Sequence, residues 1–310
     1  MKIKKQRIIL VTGSNRSGTT WVGNILAATG QAKLVYEPFN IAYQKNKGNH
    51  PPFSNHFHFV LEKETPDVKQ YIEKFLKSDN LSWIDDFKNK VSLKHFLGAT
   101  YRYINRFLKS NNKIHILKDP IALFSAPWFY DVFNSSVVVL IRHPAAYVAS
   151  IKRVNWRSNP KNILNQKEFV KKYLLPLKNE IQAFKPTQNN ILEEATLRWK
   201  IYHFVIKSYM SEYPWIFIKH EDLCNDPVRQ FRSLYSRLNL DFSQKTEEKI
   251  SISSESNNDE NTIDKKVHVL ERDSKQLIKD WKNRLTNKEI EYVYESTKEL
   301  SSCFYSKIDW

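Results

Sequence analysis

Residues 8–26, IILVTGSNRSGTTWVGNIL, constrain this chain more than any other stretch. An apolar, strand-like run breaks at Gly13, turns through SNRSG and restarts as a helix at Thr19. A strand, tight turn and helix in that order aim several unpaired backbone N–H groups and the positive end of a helix dipole at one point, where an anion such as phosphate is held. The stretch reads as an anion cradle. It approaches the nucleoside-triphosphate pattern G-x-x-x-x-G-K-[ST], but Thr19 occupies the lysine position, so the group that reaches the β- and γ-phosphates is missing. Arg16 inside the turn offers a charge for the anion, and Trp21 offers a flat ring on which a base can stack.

The short runs at 7–12, 32–36, 114–118, 137–141 and 215–219 are rich in Ile, Val, Leu and aromatics and are mostly separated by helix-capable stretches. That alternation predicts an α/β fold with a parallel sheet of about five strands. Polar residues end the strands: the loop from Gly13 to Gly18, then Glu37, Lys118, Arg142 and His220-Glu221-Asp222. Ligands of open α/β sheets lie beyond the carboxyl ends of the strands, so these scattered places are expected to converge on one crevice.

In VVVLIRHPAAYVASIKR, residues 137–153, a buried-type strand ends at Arg142 and a helix opens with Pro144 near its first position, a favoured place for proline. Ser150 follows about two helical turns along, and whether it reaches the same ligand as Arg142 depends on how the helix meets the sheet.

RSGTTW after a strand resembles the 5′-phosphosulfate loop of sulfotransferases that use 3′-phosphoadenosine 5′-phosphosulfate (PAPS) and release the desulfated PAP. The resemblance combines a cytosolic KSGTTW-type loop with the RSGS-type loop of carbohydrate sulfotransferases. It implies a three-layer, P-loop-like fold and assigns Arg16, Ser17, Gly18, Thr19, Thr20 and Trp21 to the nucleotide. The arginine, proline and serine of the second motif resemble the family's 3′-phosphate motif, which assigns Arg142 and Ser150 to that phosphate; the planar guanidinium fork suits it. FIKHEDLCNDP resembles the segment whose aromatic residue touches the adenine, with His220 in the aromatic's place. DWKNRLT resembles the family's C-terminal tryptophan segment, and Arg272 just before it is the expected contact from the chain that closes over the nucleotide.

Sulfuryl transfer to an alcohol requires an in-line acceptor oxygen, a base for its proton and positive charge at the departing phosphate. Arg16 and Lys118 are the expected catalytic cations. The cytosolic family has a histidine base two positions after the lysine, and here that position is Pro120. His115 lies three residues before Lys118, on the opposite strand face by period-two geometry, and reads as structural. Glu37 in LVYEPFN resembles the YEP segment of glycan sulfotransferases and is the expected general base. The acceptor is therefore expected to be a carbohydrate or glycolipid hydroxyl.

The chain has 310 residues, a net charge of +16 and two cysteines without metal-ligand spacing. Charge of that sign fits any polyanion, but no helix-turn-helix, RNA-recognition or zinc-finger pattern accompanies it, and no nucleic-acid partner is expected. No apolar run approaches the roughly 18–20 residues that span a bilayer, so a cytoplasmic, bacterial-type enzyme is expected. One domain is read over 1–310, with an acceptor-side insertion at about 40–112 and a mobile polar loop at about 251–266. His50, His56 and His58 in the insertion invite a metal reading, but a third ligand in register is missing and no metal is expected. Helical periodicity marks 164–184 and 191–212, with Trp199, Tyr202, Phe204 and Val205 as core. Asp226 caps a helix opened by Pro227, and TNKE at 286–289 starts another. The competing functions are a P-loop kinase or NTPase, a sulfotransferase of small phenols or alcohols, and a non-catalytic polyanion-binding module.

Overall fold

The computed structural model describes residues 7–77, 114–255 and 278–310, apart from 29, 31, 188 and 189. Five parallel strands, β1 (Arg7–Gly13), β2 (Ala32–Tyr36), β3 (Ile114–Lys118), β4 (Ser136–Ile141) and β5 (Ile216–Lys219), form one sheet in the order β2-β3-β1-β4-β5. Strand β1 is apolar on both faces, with Ile8 and Leu10 facing one core and Ile9 and Val11 the other. Such a strand needs a cover on each side, since each Leu, Ile or Val side chain taken fully from water contributes roughly 1.5–3 kcal/mol.

Helix α1 (Thr19–Ala27) covers one face, and α2 (Ala126–Phe133), α3 (Pro144–Arg153) and α4 (Ile191–Glu212) cover the other. Helix α5 (Pro227–Arg237) returns to the face of α1, where Phe231 and Leu234 join Val22, Ile25 and Leu26. The result is the three-layer α/β architecture expected of the chain. In the segment after β2, Phe53, Phe57, Val60, Val68 and Ile72 are buried in the same cluster as α2 to α4.

Local chemistry sets the helix ends as anticipated. Pro144 opens α3, Asp226 accepts from the Arg229 N–H at the start of α5, and Thr286 and Glu289 form a reciprocal capping box. Two expectations need correction. The stretch 164–184 is a chain of short pieces, because Pro176 lacks the N–H that a continuous helix would use. The polar stretch from 251 begins as the end of helix α6 (Gln244–Glu255), and the rest of that expected loop lies outside the described residues. Trp199, Tyr202 and Val205 are buried as expected, whereas Phe204 is half-buried. Among the described residues no helix is long and apolar enough to cross a membrane.

Candidate active site

Strand register brings the scattered strand ends to one rim. Tyr36 lies beside Lys118, Lys118 beside Val11, Gly13 beside Leu140 and Ile141 beside Lys219, so the residues that follow them surround a single crevice. Its cavity measures about 260 Å³. Arg16, Trp21, Glu37, Lys118, Arg142 and Ser150 all line it.

The floor is the loop from Ser14 to Gly18. Ser17 closes it by donating from its hydroxyl to the Ser14 carbonyl at 2.6 Å. Gly18 turns the chain at φ 90°, where side chains are disfavoured, and a Cβ there would lie 2.5 Å from the His220 ring. Arg16 also has positive φ, 65°, and its Nε donates to the Ser150 hydroxyl at 3.0 Å. Helix α3 thus packs with Ser150 against the loop, which answers the question that helical spacing left open. The Arg142 guanidinium donates through Nη1 to the Arg16 carbonyl, while its buried Nε has no hydrogen-bond partner among the described residues. The Arg142 main chain is fixed as well, its carbonyl accepting from the Trp199 indole at 2.8 Å.

On the other side of the rim, Lys118 is 1 % exposed, lies 3.7 Å from the centre of the Tyr36 ring, and donates to Oε1 of Glu37. Oε2 of Glu37 accepts from the Asn40 amide at 2.6 Å. The Glu37 backbone, at φ 45°, is held by its N–H on the Lys118 carbonyl at 2.9 Å and its carbonyl on the Gln44 amide at 2.9 Å. Asp119, fully buried, accepts from the N–H groups of Phe39, Ile121 and Ala122 and ties the two strand exits together. Burial, with the Glu37 charge second, pushes its carboxyl up to about 7.

The Trp21 indole donates to Ser253 at 2.9 Å, meets Phe231 edge-on at 5.2 Å, and stands 6.5 Å from the His220 ring. His220 is buried above Gly18; burial, aided by the Arg142 charge, pushes its pKa down to about 3 and keeps it neutral. At the C-terminal side, Asp280, Trp281 and Arg284 line the crevice. Arg272 lies outside the described residues.

Sequence reasoning missed Asn40, Asp119 and Arg284. Asn40 stands three residues after Glu37 and Arg284 lies in the quoted DWKNRLT, so their positions carried a signal; Asp119, between Lys118 and Pro120, carried none. His115 is fully buried, and the three insertion histidines do not gather: His50 is exposed and His58 bonds Glu64 at 3.1 Å. Among the described residues no group of three or more His, Cys, Asp or Glu is arranged to hold a metal ion.

The architecture has known counterparts. The sulfotransferase domain of the Synechococcus PCC 7002 olefin synthase superposes with a TM-score of 0.51 at 16% identity, covering 99% of this chain and 98% of that one. Mouse sulfotransferase SULT7A1, in a structure complexed with PAP, superposes with a TM-score of 0.50 at 13% identity over 99% of this chain and 87% of its own. At these identities the likeness is one of fold. No curated protein matches the chain. The family model described as the sulfotransferase family, however, matches residues 9–244, from β1 through the anion loop, Glu37, Arg142 and His220 to the start of α6. A match of that extent shows that this chain is an enzyme of the sulfotransferase family.

Proposed function

We propose that the chain transfers the sulfuryl group of PAPS to a hydroxyl of a carbohydrate or glycolipid, with Glu37 as general base. The observation that carries the proposal is the convergence of Arg16, Arg142 and Ser150 beside an anion loop, a short reach from a carboxylate fixed at the neighbouring strand exit.

The residues fit the donor. The unpartnered Nε of Arg142 and the Ser150 hydroxyl suit the 3′-phosphate, and the backbone N–H groups of the loop through Thr19 and Thr20 suit the 5′ end. Trp21 and His220 offer the adenine one ring each, and Arg272 remains assigned to the closing segment. When bound, PAPS supplies the sulfuryl group and leaves as PAP. Glu37 receives the acceptor proton, and Asn40 orients its carboxylate. Lys118 holds a second role. Held at the β3 exit beside Glu37, it is also placed to neutralise the charge that develops on the departing phosphate.

The segment after β2, whose residues 78–112 lie outside the described residues and whose Asn40 lines the crevice, is proposed as the acceptor side of a single domain. Cys224 and Cys303 form no disulfide among the described residues, and a cytoplasmic setting is proposed with them. The test is transfer of labelled sulfate from PAPS to a panel of glycans, glycolipids, phenols and steroids by wild type and by Glu37→Gln. Sugar hydroxyls are expected to be sulfated, and the variant to lose about 10²–10⁴ in kcat with PAP affinity near wild type. Good sulfation of phenols or steroids by a fully active Glu37→Gln would overturn both the acceptor class and the base.

A further inference from the structure

Trp156 lines the crevice, and neither the donor nor the proton transfer described above uses it. The side chain is 38 % exposed, unusual for a ring of that size. Its backbone, by contrast, is fixed on both sides. Helix α3 is stopped by Asn155 at φ 46°, a conformation that Asn tolerates, and the Trp156 N–H reaches back to the Ile151 carbonyl at 3.2 Å. The Trp156 carbonyl accepts from Arg198 of α4 at 2.8 Å. Arg198 is paired at 3.5 Å with Glu194, both of them buried, and Glu194 also accepts from the Ser158 N–H at 2.6 Å and holds Arg157 at 2.9 Å. A buried ion pair adds little stability over apolar packing of the same size; what this one does is fix the path of residues 156–158. Among the described residues the Trp156 indole donates no hydrogen bond and meets no other ring.

Two aromatic rings thus border the crevice from opposite layers of the fold. Trp21 belongs to the layer of α1, against Phe231 of α5 and Ser253 of α6, where the adenine is assigned. Trp156 is tied to α4, in the other layer. The chain that follows Glu37 rests on the same stretch of α4, since Phe57 stacks at 4.5 Å on Tyr202, one helical turn after Arg198. Trp156 therefore stands beyond Ser150 along the α3 wall, on the layer against which the segment after β2 packs. Its indole offers a flat apolar face with an N–H at the edge. A pyranose ring matches that shape, with axial C–H bonds making one face apolar and hydroxyls pointing outward from its rim.

We infer that Trp156 is a binding platform for the acceptor, on which a pyranose ring stacks by its C–H face. The inference rests on the transferase reading above and deepens it, giving the sugar a wall of the crevice that the nucleotide does not use.

The test uses the full chain, labelled PAPS, and the methyl β-glycosides of glucose, galactose and N-acetylglucosamine with lactose as acceptors. Trp156→Ala is expected to raise the KM of the sulfated glycosides about ten- to thirtyfold, what covering one ring face contributes, with kcat and calorimetric PAP affinity close to wild type. Trp156→Phe keeps a flat ring and is expected to recover most of the loss. An unchanged KM in Trp156→Ala overturns the inference, as does a fall in PAP affinity, which would put the indole on the nucleotide. A second measurement does not depend on the alanine variant folding: fluorine NMR of the fluorotryptophan-labelled chain, in which the resonance missing from Trp156→Phe belongs to Trp156. That resonance is expected to move when a sulfated glycoside is added to the PAP complex, and one that stays in place overturns the inference. Failure of the underlying reading looks different. A wild-type chain that binds no PAP, or that binds PAP and sulfates none of the glycosides, defeats the transferase or the sugar assignment before any variant is made, and the inference with it.

Discussion

Arg16 and Ser150, 134 positions apart in the chain, meet through a 3.0 Å hydrogen bond from guanidinium Nε to hydroxyl Oγ. Arg142 completes the junction by donating to the Arg16 carbonyl. The loop after β1, the end of β4 and the second turn of α3 thus form one unit, and a ligand that engages Arg142 also sets the loop.

Arg142→Ala should weaken PAP binding by about 1.5–3 kcal/mol, the usual worth of a hydrogen bond to a charged group, while hardly changing ADP binding. Ser150→Ala should cost less, about 0.5–1.5 kcal/mol, because it removes one neutral donor and leaves the guanidinium in place. Calorimetric titration of both variants with both nucleotides checks the order.

Gly18→Ala should lower stability by about 1–3 kcal/mol, since the new methyl group meets the His220 ring and the backbone must keep a positive φ. In a His220→Ala background the same change should cost less, because the collision is gone and only the backbone penalty remains. Urea unfolding of the four chains of this cycle measures the difference.

Stability should fall as the solution is acidified below about pH 6.5. Burial pushes the pKa values of His143, His203 and His220 down to about 3, so between the ordinary histidine value and that figure the unfolded chain binds protons that the folded chain refuses. The stabilisation is fully present above pH 6.5 and is lost as pH drops through the window, at roughly 1.4 kcal/mol per pH unit for each such histidine. His143 stacks on Trp281 at 5.1 Å and neither of its ring nitrogens has a hydrogen-bond partner among the described residues. His143→Phe keeps a ring there, so it should leave the chain folded and make the acid slope shallower by one proton. Denaturant unfolding at a series of pH values reads that slope.

Turnover should persist in excess EDTA, because Arg16, Lys118 and Arg142 supply the positive charge that phosphoryl-transfer enzymes take from magnesium. Loss of activity on chelation with recovery on adding magnesium would favour the kinase reading.

The sheet and its rim were legible because they depend on local patterns: apolar runs, a glycine-hinged turn, Pro144 at a helix start and polar residues at strand ends. The contacts across the rim were not. Spacing cannot tell that Ser150 faces Arg16 rather than solvent, since that depends on the packing of α3 against α4 and the sheet. Nor can it pair Lys118 with Glu37, which meet only because β2 and β3 are neighbours. Periodicity over 164–184 overreached because side-chain pattern survives in broken helix while Pro176 breaks the backbone ladder. The insertion histidines, alike in sequence, separated by burial: His58 is buried on Glu64, while His50 and His56 are exposed.

The central claim, a site built for a nucleotide with a 3′-phosphate, is tested most directly by thermal unfolding of the wild-type chain with PAP and with ADP at equal concentration. PAP at about a hundred times its Kd should stabilise the fold by about 2.7 kcal/mol, with a clearly smaller gain from ADP, which lacks the phosphate assigned to Arg142 and Ser150. Equal shifts with the two nucleotides, or a shift with ADP alone, would contradict the account.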